Sequence, residues 1–121
     1  MNRRQCRLRG YFEVPPGNKV TLCCNRLDSP QALEATLAHE LVHAQDHLVG
    51  ELNFHDPVQL ACSEVRAAAF VDCAATWEWF RRSCVRNAAF QSTKVNYSQE
   101  VSRTSVEKAM QDCYPPPGTQ M

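Results

Sequence analysis

The residues that most constrain this chain are His39, Glu40 and His43, which form an H-E-x-x-H pattern. The pattern has chemical meaning only in a helix, because residues four apart then share a face and two imidazoles can meet one ion. A serine–proline pair at residues 29–30 is typical of a helix start, and Gly50 indicates where that helix ends. The sequence therefore predicts a helix of about 20 residues that carries the pattern.

A regular apolar stripe runs along the same predicted helix. Its residues recur at steps of three or four: Leu33, Leu37, Leu41, Ala44 and Leu48. Such a stripe normally faces the core of a small protein. On a helical wheel the two histidines point away from the stripe, toward a cleft, and Glu40 lies between the two faces. We therefore expect the stripe to be buried and the histidines to border the cleft.

A catalytic zinc ion usually has three protein ligands and an open position for water, so a third ligand is needed besides His39 and His43. Asp46 and His47 lie one helical turn beyond His43 and could reach the ion only if the helix broke there. Asp46 could instead orient a ligand imidazole through its free ring nitrogen, or be a solvated carboxylate. We interpret His47 and His55 as surface histidines or as histidines satisfied by other groups.

A second predicted helix supplies a better third ligand, Glu64. It starts at Asp56-Pro57, a second cap-then-proline pair, and the absence of Gly and Pro predicts one long, largely buried helix to about Arg82. The neighbours of Glu64 on the wheel are apolar: Leu60, Ala67, Ala68, Val71 and Ala75. A carboxylate there is costly unless a partner neutralises it, and a cation held by the first helix would do so. The alternative is a Glu64–arginine pair, although Arg66 points to another side of the helix.

The remaining segments predict a small amount of β-structure and one more helix. Two runs rich in strand formers, residues 11–14 and 19–24, flank a Pro-Pro-Gly-Asn sequence at 15–18 and predict a β-hairpin. A last helix is predicted from Ser98 to about Cys113. The expected fold class is α+β and mostly helical, with an N-terminal β-hairpin, an active-site helix, a long buried helix and a C-terminal helix.

Length and charge narrow the class of protein. The 121 residues fit a single domain, 1–121, in which we expect 1–9 and 115–121 to be flexible tails. Thirteen Lys and Arg balance thirteen Asp and Glu, which argues against a nucleic-acid partner. No apolar run approaches the roughly 18 to 20 residues of a membrane span, so any membrane contact would be peripheral.

Seven cysteines are many for this length. The C-x2-C spacing of many zinc sites is absent, which leaves disulfides or small buried side chains as the readings. The cysteine content favours disulfides, and the odd number leaves at least one thiol without a partner in this chain.

Two longer segments make the pattern much more specific. Thr36–His47 and Leu60–Ala68 resemble the central motifs of a family of mitochondrial inner-membrane metallopeptidases, zincins that mature a membrane subunit of the ATP synthase. Val20–Asn25 resembles the strand before that family's active helix. The cysteine-bearing segments 83–86 and 101–113 are also similar, so the resemblance covers nearly the whole chain.

The resemblance implies a zinc-dependent endopeptidase bound peripherally to the mitochondrial inner membrane, on its intermembrane-space side. Its protein substrate would be the precursor of that ATP synthase subunit, and a second role independent of proteolysis would be in ATP synthase assembly. Residue by residue, it assigns His39 and His43 to zinc and Glu40 to catalysis. Glu64 lies in the second motif, in agreement with the wheel.

The resemblance also implies disulfides, because that compartment oxidises thiols. Cys62, Cys73 and Cys84 are 11 residues apart, so they are expected along one side of the long helix, where they could bond to other segments but not to each other. Cys6 is expected to remain unpaired.

Three other functions are compatible with some of these residues. The first is an assembly chaperone whose zinc site is dispensable. The second is a nuclear or DNA-repair interaction protein, which the neutral charge disfavours. The third is a purely structural zinc site, although such sites usually have four protein ligands, often cysteines. The sequence identifies neither the oligomeric state, the cleavage site nor the residue that stabilises the oxyanion.

Overall fold

Two antiparallel strands precede the helices in the computed structural model, which describes residues 9–13 and 16–115. The described strands and helices are, in chain order, β1 (Gly10–Glu13), β2 (Lys19–Leu22), α1 (Pro30–Leu48), α2 (Pro57–Ala67), α3 (Glu78–Thr93) and α4 (Gln99–Cys113). A 3-10 turn at Cys24–Arg26 follows β2, and a π-helical turn at Ala68–Asp72 continues α2. The fold is α+β and mostly helical, as predicted.

The predicted hairpin packs against α1. β1 and β2 pair over all four residues of each strand, while Val14 of the first predicted strand and Pro15 of the predicted connection lie outside the described residues. Asn18 before β2 has φ 48°, a left-handed conformation that asparagine tolerates. A Cβ atom at Gly10 would lie 2.9 Å from the Thr36 side chain, so only glycine lets β1 approach α1 this closely. The hairpin is thereby placed beside the H-E-x-x-H residues.

Helix α1 begins and ends close to the predicted residues. The Ser29 hydroxyl accepts a hydrogen bond from the Ala32 N–H at 3.0 Å and caps the helix before Pro30. At the other end the Val49 and Gly50 N–H groups both donate to the Gln45 carbonyl. The ends of α1 could therefore be predicted from capping chemistry.

The predicted burial of the leucine stripe on α1 is wrong, because the stripe is exposed, whereas both histidines border a cleft as predicted. The exposed fraction is 43% for Leu33, 39% for Leu37, 50% for Leu41 and 53% for Leu48. The buried residues of α1 are instead mostly polar: Thr36, Glu40, Val42, His43 and Asp46. A helical wheel assumes that apolar side chains fill the core, whereas α1 packs against α2 through polar groups that bond to each other.

The predicted single helix from Pro57 to about Arg82 is also wrong. α2 ends at Ala67, and the π-helical turn leads into a loop, residues 73–77, before α3 begins. No Gly or Pro marks this break, and apolar residues continue on both sides of it. Neither the breaker residues nor the hydrophobic pattern therefore indicates where α2 ends. Three aromatic side chains that were expected in a buried helix are instead exposed: Trp77, Trp79 and Phe80.

The same break overturns one prediction about the cysteines. Cys73 and Cys84 are bonded to each other with their Cα atoms 6.0 Å apart, whereas on a straight helix an 11-residue separation would span about 16 Å. Cys62 is bonded to another segment, as predicted. Cys24 is a free, exposed thiol. Cys6, which was expected to be unpaired, lies outside the described residues.

The hydrophobic core lies where α2, α3 and α4 meet. Its buried members are mostly small: Ala61, Val65, Ala68, Val85, Ala89, Val106, Ala109 and Met110. A disulfide between Cys62 and Cys113 ties α2 to α4. The small alanine side chains let these helices approach each other closely. Helix α2 packs against α3 and α4, and it also contacts α1. None of the described helices is long and apolar enough to cross a bilayer.

Candidate metal centre

Two helices bring the predicted metal ligands together. His39 and His43 lie one turn apart on α1, and Glu64 faces them from α2. Glu64 Oε1 lies 3.3 Å from His39 Nε2 and 3.2 Å from His43 Nε2. One ligand atom from each of the three residues can be chosen so that all lie within 4.8 Å of one another. A single ion between these atoms could contact all three side chains.

Asp72 holds His39 by its other ring nitrogen. His39 Nδ1 lies 2.7 Å from Asp72 Oδ2. Because an ionised carboxylate can only accept, Nδ1 carries the proton and donates it to Asp72. Asp72 is the last residue of the π-helical turn, which contacts α1, so the early end of α2 also brings this carboxylate to His39.

A chain of buried polar groups holds His43. Its Nδ1 lies 2.7 Å from Ser63 Oγ, and the Ser63 hydroxyl donates to Asp46 Oδ2 at 2.9 Å. Asp46 also accepts from Arg66 Nε at 2.9 Å. The hydroxyl has one proton, which it gives to the carboxylate, so it must accept from His43 Nδ1–H. Nδ1 of His43 is thereby fixed as a donor, which directs Nε2 toward Glu64.

The residues present fit a divalent metal ion. Glu64 Oε1 is buried and has no hydrogen-bond partner of good geometry, although two ring nitrogens lie close to it. Buried carboxylate oxygens are rarely left unsatisfied without a reason. The arginine alternative does not apply, because the Arg66 guanidinium pairs with Asp46. Two imidazole nitrogens and a carboxylate oxygen are ligands that zinc accepts, and they leave its fourth position open.

The charges of these side chains also favour a cation. Burial disfavours the ionised form of Glu64, but the adjacent His43 and His39 imidazoles prevail and lower the pKa of its carboxyl to about 2. Burial likewise disfavours protonated His39, but Asp72 and Glu64 prevail and raise its pKa to about 10. Without metal, the site therefore attracts protons, and a divalent cation would replace that positive charge.

Glu40 lies beside the three candidate ligands without being one of them. It is buried on α1 and lines the same cleft as both histidines. Burial raises the pKa of the Glu40 carboxyl, which the nearby imidazoles only partly offset. A carboxyl with a raised pKa binds a proton more readily, as a general base must.

A cleft gives access to Glu40 and the candidate ligands. All four residues of β1 line it, as do four largely apolar side chains from elsewhere: Phe54, Leu60, Val95 and Tyr97. The Tyr97 hydroxyl donates to the Phe54 carbonyl at 2.9 Å and so ties two walls together. β2 pairs with one edge of β1, and among the described residues no strand pairs with its other edge.

The sequence pointed to His39, His43 and Glu64 as the candidate ligands. It did not point to Ser63 and Asp72, whose side chains hold the two imidazoles. Ser63 directly precedes Glu64, and Asp72 follows it by eight residues, about two helical turns. In the sequence, the only hint at Ser63 is that it adjoins Glu64, and no local pattern marks Asp72. Asp46 is buried rather than solvated, and it reaches His43 only through Ser63.

The other two histidines behave as expected. His47 Nδ1 lies 2.8 Å from the Leu52 carbonyl, and its ring lies against Phe12 and Phe54. His55 is exposed on the loop before α2. His47 is therefore satisfied by other groups, and His55 lies at the surface.

Comparison with known proteins identifies the family. The peptidase M76 family model matches residues 1–116. The mitochondrial inner membrane protease atp23 of Sclerotinia sclerotiorum is 38% identical, over 64% of this chain and 36% of the relative. The human mitochondrial inner membrane protease ATP23 homolog is 32% identical, over 80% and 45%. The protein of the same name from Mycosarcoma maydis is also 32% identical, over 80% and 51%.

The curated relatives are longer than this chain. The chain spans only about a third to a half of the length of these curated relatives. No solved structure gives a significant match. The family model nevertheless matches nearly all of the residues that form the fold and the cleft, and the chain belongs to the peptidase M76 family.

Proposed function

We propose that this protein is a zinc-dependent endopeptidase with its active centre at His39, His43 and Glu64. The observation that carries the proposal is the meeting of two Nε2 atoms and one buried, unsatisfied carboxylate oxygen, with a glutamate beside them on α1. Membership of a peptidase family supports the reaction class independently.

In this proposal the three side chains hold zinc, and Asp72 and Ser63 fix the imidazoles that do so. When bound, zinc would polarise the carbonyl of the substrate and lower the pKa of water. Two nitrogens and one carboxylate oxygen are a ligand set found in catalytic zinc sites, in contrast to the four protein ligands of most structural sites. The donor set therefore favours catalysis over a purely structural role.

Glu40 would be the general base and later the general acid. Its carboxylate takes a proton from the attacking water and then delivers that proton to the nitrogen of the departing amine. Its burial beside the ligands and its raised pKa suit both steps. The same carboxyl thus acts in both directions within one turnover.

We propose that the substrate binds as an extended peptide along β1. This strand lines the cleft and has an edge without a strand partner among the described residues, so it can pair with a peptide backbone. Hydrogen bonds to the peptide backbone do not depend on the substrate's side chains. The apolar walls around Phe54 and Leu60 would favour apolar side chains in the substrate.

The biological substrate is proposed from the relatives and the sequence motifs. The relatives are named mitochondrial inner membrane proteases, and the motifs resemble enzymes that mature a membrane subunit of the ATP synthase. We therefore propose a precursor of that subunit as the substrate, with peripheral binding on the intermembrane-space side and a role in ATP synthase assembly.

A Glu40→Gln variant tests the peptidase. We expect zinc content to be unchanged and cleavage of a precursor peptide to fall by about 100-fold or more, since general-base catalysis contributes that much. Glu34→Gln is the matched control, because Glu34 is an exposed glutamate on the same helix. Full cleavage by Glu40→Gln would contradict the mechanism. In cells lacking the native protein, restored ATP synthase assembly without cleavage would show that the assembly role is separate.

A further inference from the structure

A disulfide-closed loop from Cys73 to Cys84, made up of residues 73–77 and the first turns of α3, exposes three aromatic side chains to solvent. The exposed fraction is 80% for Trp77, 88% for Trp79 and 66% for Phe80. Aromatic rings of this size normally dominate cores and interfaces, because each buries a large apolar area. The chain has only two tryptophans, so both lie in this one exposed loop.

The loop is held in shape by covalent and polar contacts. The Cys73–Cys84 disulfide closes it, and Arg81 Nη2 donates to the Ala74 carbonyl at 3.0 Å and the Thr76 carbonyl at 3.4 Å. The backbone of the loop is thus preorganised, so it loses little conformational entropy when the aromatic rings bind another surface.

We propose that this disulfide-closed loop, the aromatic loop, inserts its three rings into the interfacial region of an anionic lipid bilayer. Tryptophan prefers the boundary between headgroups and acyl chains, because its ring is apolar and its N–H group is polar. The ionisable side chains between the two cysteines are Glu78, Arg81 and Arg82, so the loop has a net positive charge beside its aromatic residues. Arginines next to an apolar surface favour anionic lipid.

Charge distinguishes the aromatic loop from the other exposed apolar surface. The leucine stripe on α1 is exposed too, but α1 contains no lysine or arginine and carries Glu34 in its first turns. An anionic bilayer would attract the positively charged aromatic loop but would have no electrostatic attraction for α1. The leucine stripe therefore provides a matched control of similar apolar character.

The aromatic loop begins next to the candidate metal centre. Asp72, which holds His39, directly precedes Cys73, and the Cα atoms of Asp72 and Trp77 can be at most about 19 Å apart. Anchoring this loop would keep the cleft close to the membrane surface. The proposal deepens the proposed function, because it would present the cleft to segments of membrane proteins that emerge from the bilayer.

Tryptophan emission tests the proposal directly, since both tryptophans lie in the aromatic loop. The disulfide-intact protein is mixed with phosphatidylcholine vesicles with and without phosphatidylglycerol. We expect a blue shift with the anionic vesicles and quenching by brominated lipid. An unchanged emission spectrum would overturn the proposal. So would a blue shift that grows with protein concentration without lipid, since the loop would then bind a second copy.

Variants locate the membrane contact. Phe80→Ala keeps both tryptophans and should weaken vesicle binding about tenfold, as expected for one interfacial ring. Arg82→Gln should reduce the preference for anionic vesicles. The control variant, with Leu33, Leu37 and Leu41 changed to Gln, should bind like the wild type. Loss of binding in this control, with binding retained in Phe80→Ala, would place the contact on α1 and refute the proposal.

The experiment separates this proposal from the proposed function. Glu40→Gln should bind vesicles as the wild type does, because it leaves the aromatic loop unchanged. If zinc-loaded protein fails to cleave peptides but its emission still shifts with lipid, the peptidase proposal fails alone. If soluble peptides are cleaved and the emission does not shift, the membrane proposal fails alone.

Discussion

Replacing Ser63 by alanine tests whether the Asp46–Ser63 pair orients a metal ligand. The substitution removes the hydroxyl that accepts from His43 Nδ1 at 2.7 Å and donates to Asp46 at 2.9 Å. Asp46 keeps its partner Arg66, whereas the His43 Nδ1–H group loses its acceptor in a buried position. The loss therefore falls mainly on the imidazole that is proposed to bind zinc.

The expected magnitude follows from that unpaired donor. A buried polar group without a partner costs about 1–3 kcal/mol. Ser63 acts on zinc through His43, and loss of such a support commonly weakens metal binding by roughly 10- to 100-fold, which is about 1.4–2.7 kcal/mol. The cost of the unpaired donor and the usual loss of metal affinity agree in size. We therefore expect the affinity for zinc to fall by roughly one to two orders of magnitude.

Competition with a chromophoric chelator measures this affinity, and circular dichroism shows that the variant is folded. Ser105→Ala is the matched control, since Ser105 is a buried serine on α4, away from the metal centre. Zinc affinity within about twofold of the wild type for a folded Ser63→Ala would refute the reasoning. An equal loss in Ser105→Ala would show that any buried serine has this effect, and would refute it as well.

Two further predictions concern stability and pH. Removing the Cys62–Cys113 disulfide, with 51 residues of separation, should cost about 4 kcal/mol of unfolding free energy, and removing Cys73–Cys84, with a separation of 11, about 3 kcal/mol. Urea unfolding of the two double alanine variants measures this, and the reverse order would contradict the loop-entropy argument. Because the pKa of His39 is raised to about 10 without metal, zinc must displace a proton near neutral pH, and its affinity should rise about tenfold per pH unit for each proton released. Calorimetry in buffers of different ionisation enthalpy detects those protons, and zinc binding without proton release would show that the imidazole is already neutral.

Local chemistry made the ends of several elements predictable from the sequence. Ser29 and Asp56 cap helices as predicted, and Ser98 caps α4 where the last helix was predicted to begin, because each places a side-chain oxygen within reach of free backbone N–H groups. The position of Glu64 among alanines predicted a carboxylate on a packed helix face, and Glu64 is buried there beside two histidines of α1. These inferences depend only on neighbouring residues.

The failures arose where distant contacts outweigh local pattern. The leucine stripe of α1 obeys the helical period but faces solvent, because the opposite face bonds to Ser63 and Glu64 on α2. The chain changes direction after Asp72 without a Gly or Pro. The disulfide between Cys73 and Cys84, eleven residues apart, encloses this change of direction. Ser63 and Asp72 acquire their roles only through α1, which a reading of one helix at a time does not reveal.

The zinc content of Glu64 variants tests the central claim most directly. Purified wild-type protein should retain one equivalent of zinc after dialysis, whereas Glu64→Ala and Glu64→Gln, with disulfides and helix content intact, should lose it. Glu34→Gln, which changes an exposed glutamate on α1, should retain zinc as the wild type does. Stoichiometric zinc in both folded Glu64 variants would contradict the account that α1 and α2 hold one ion between them.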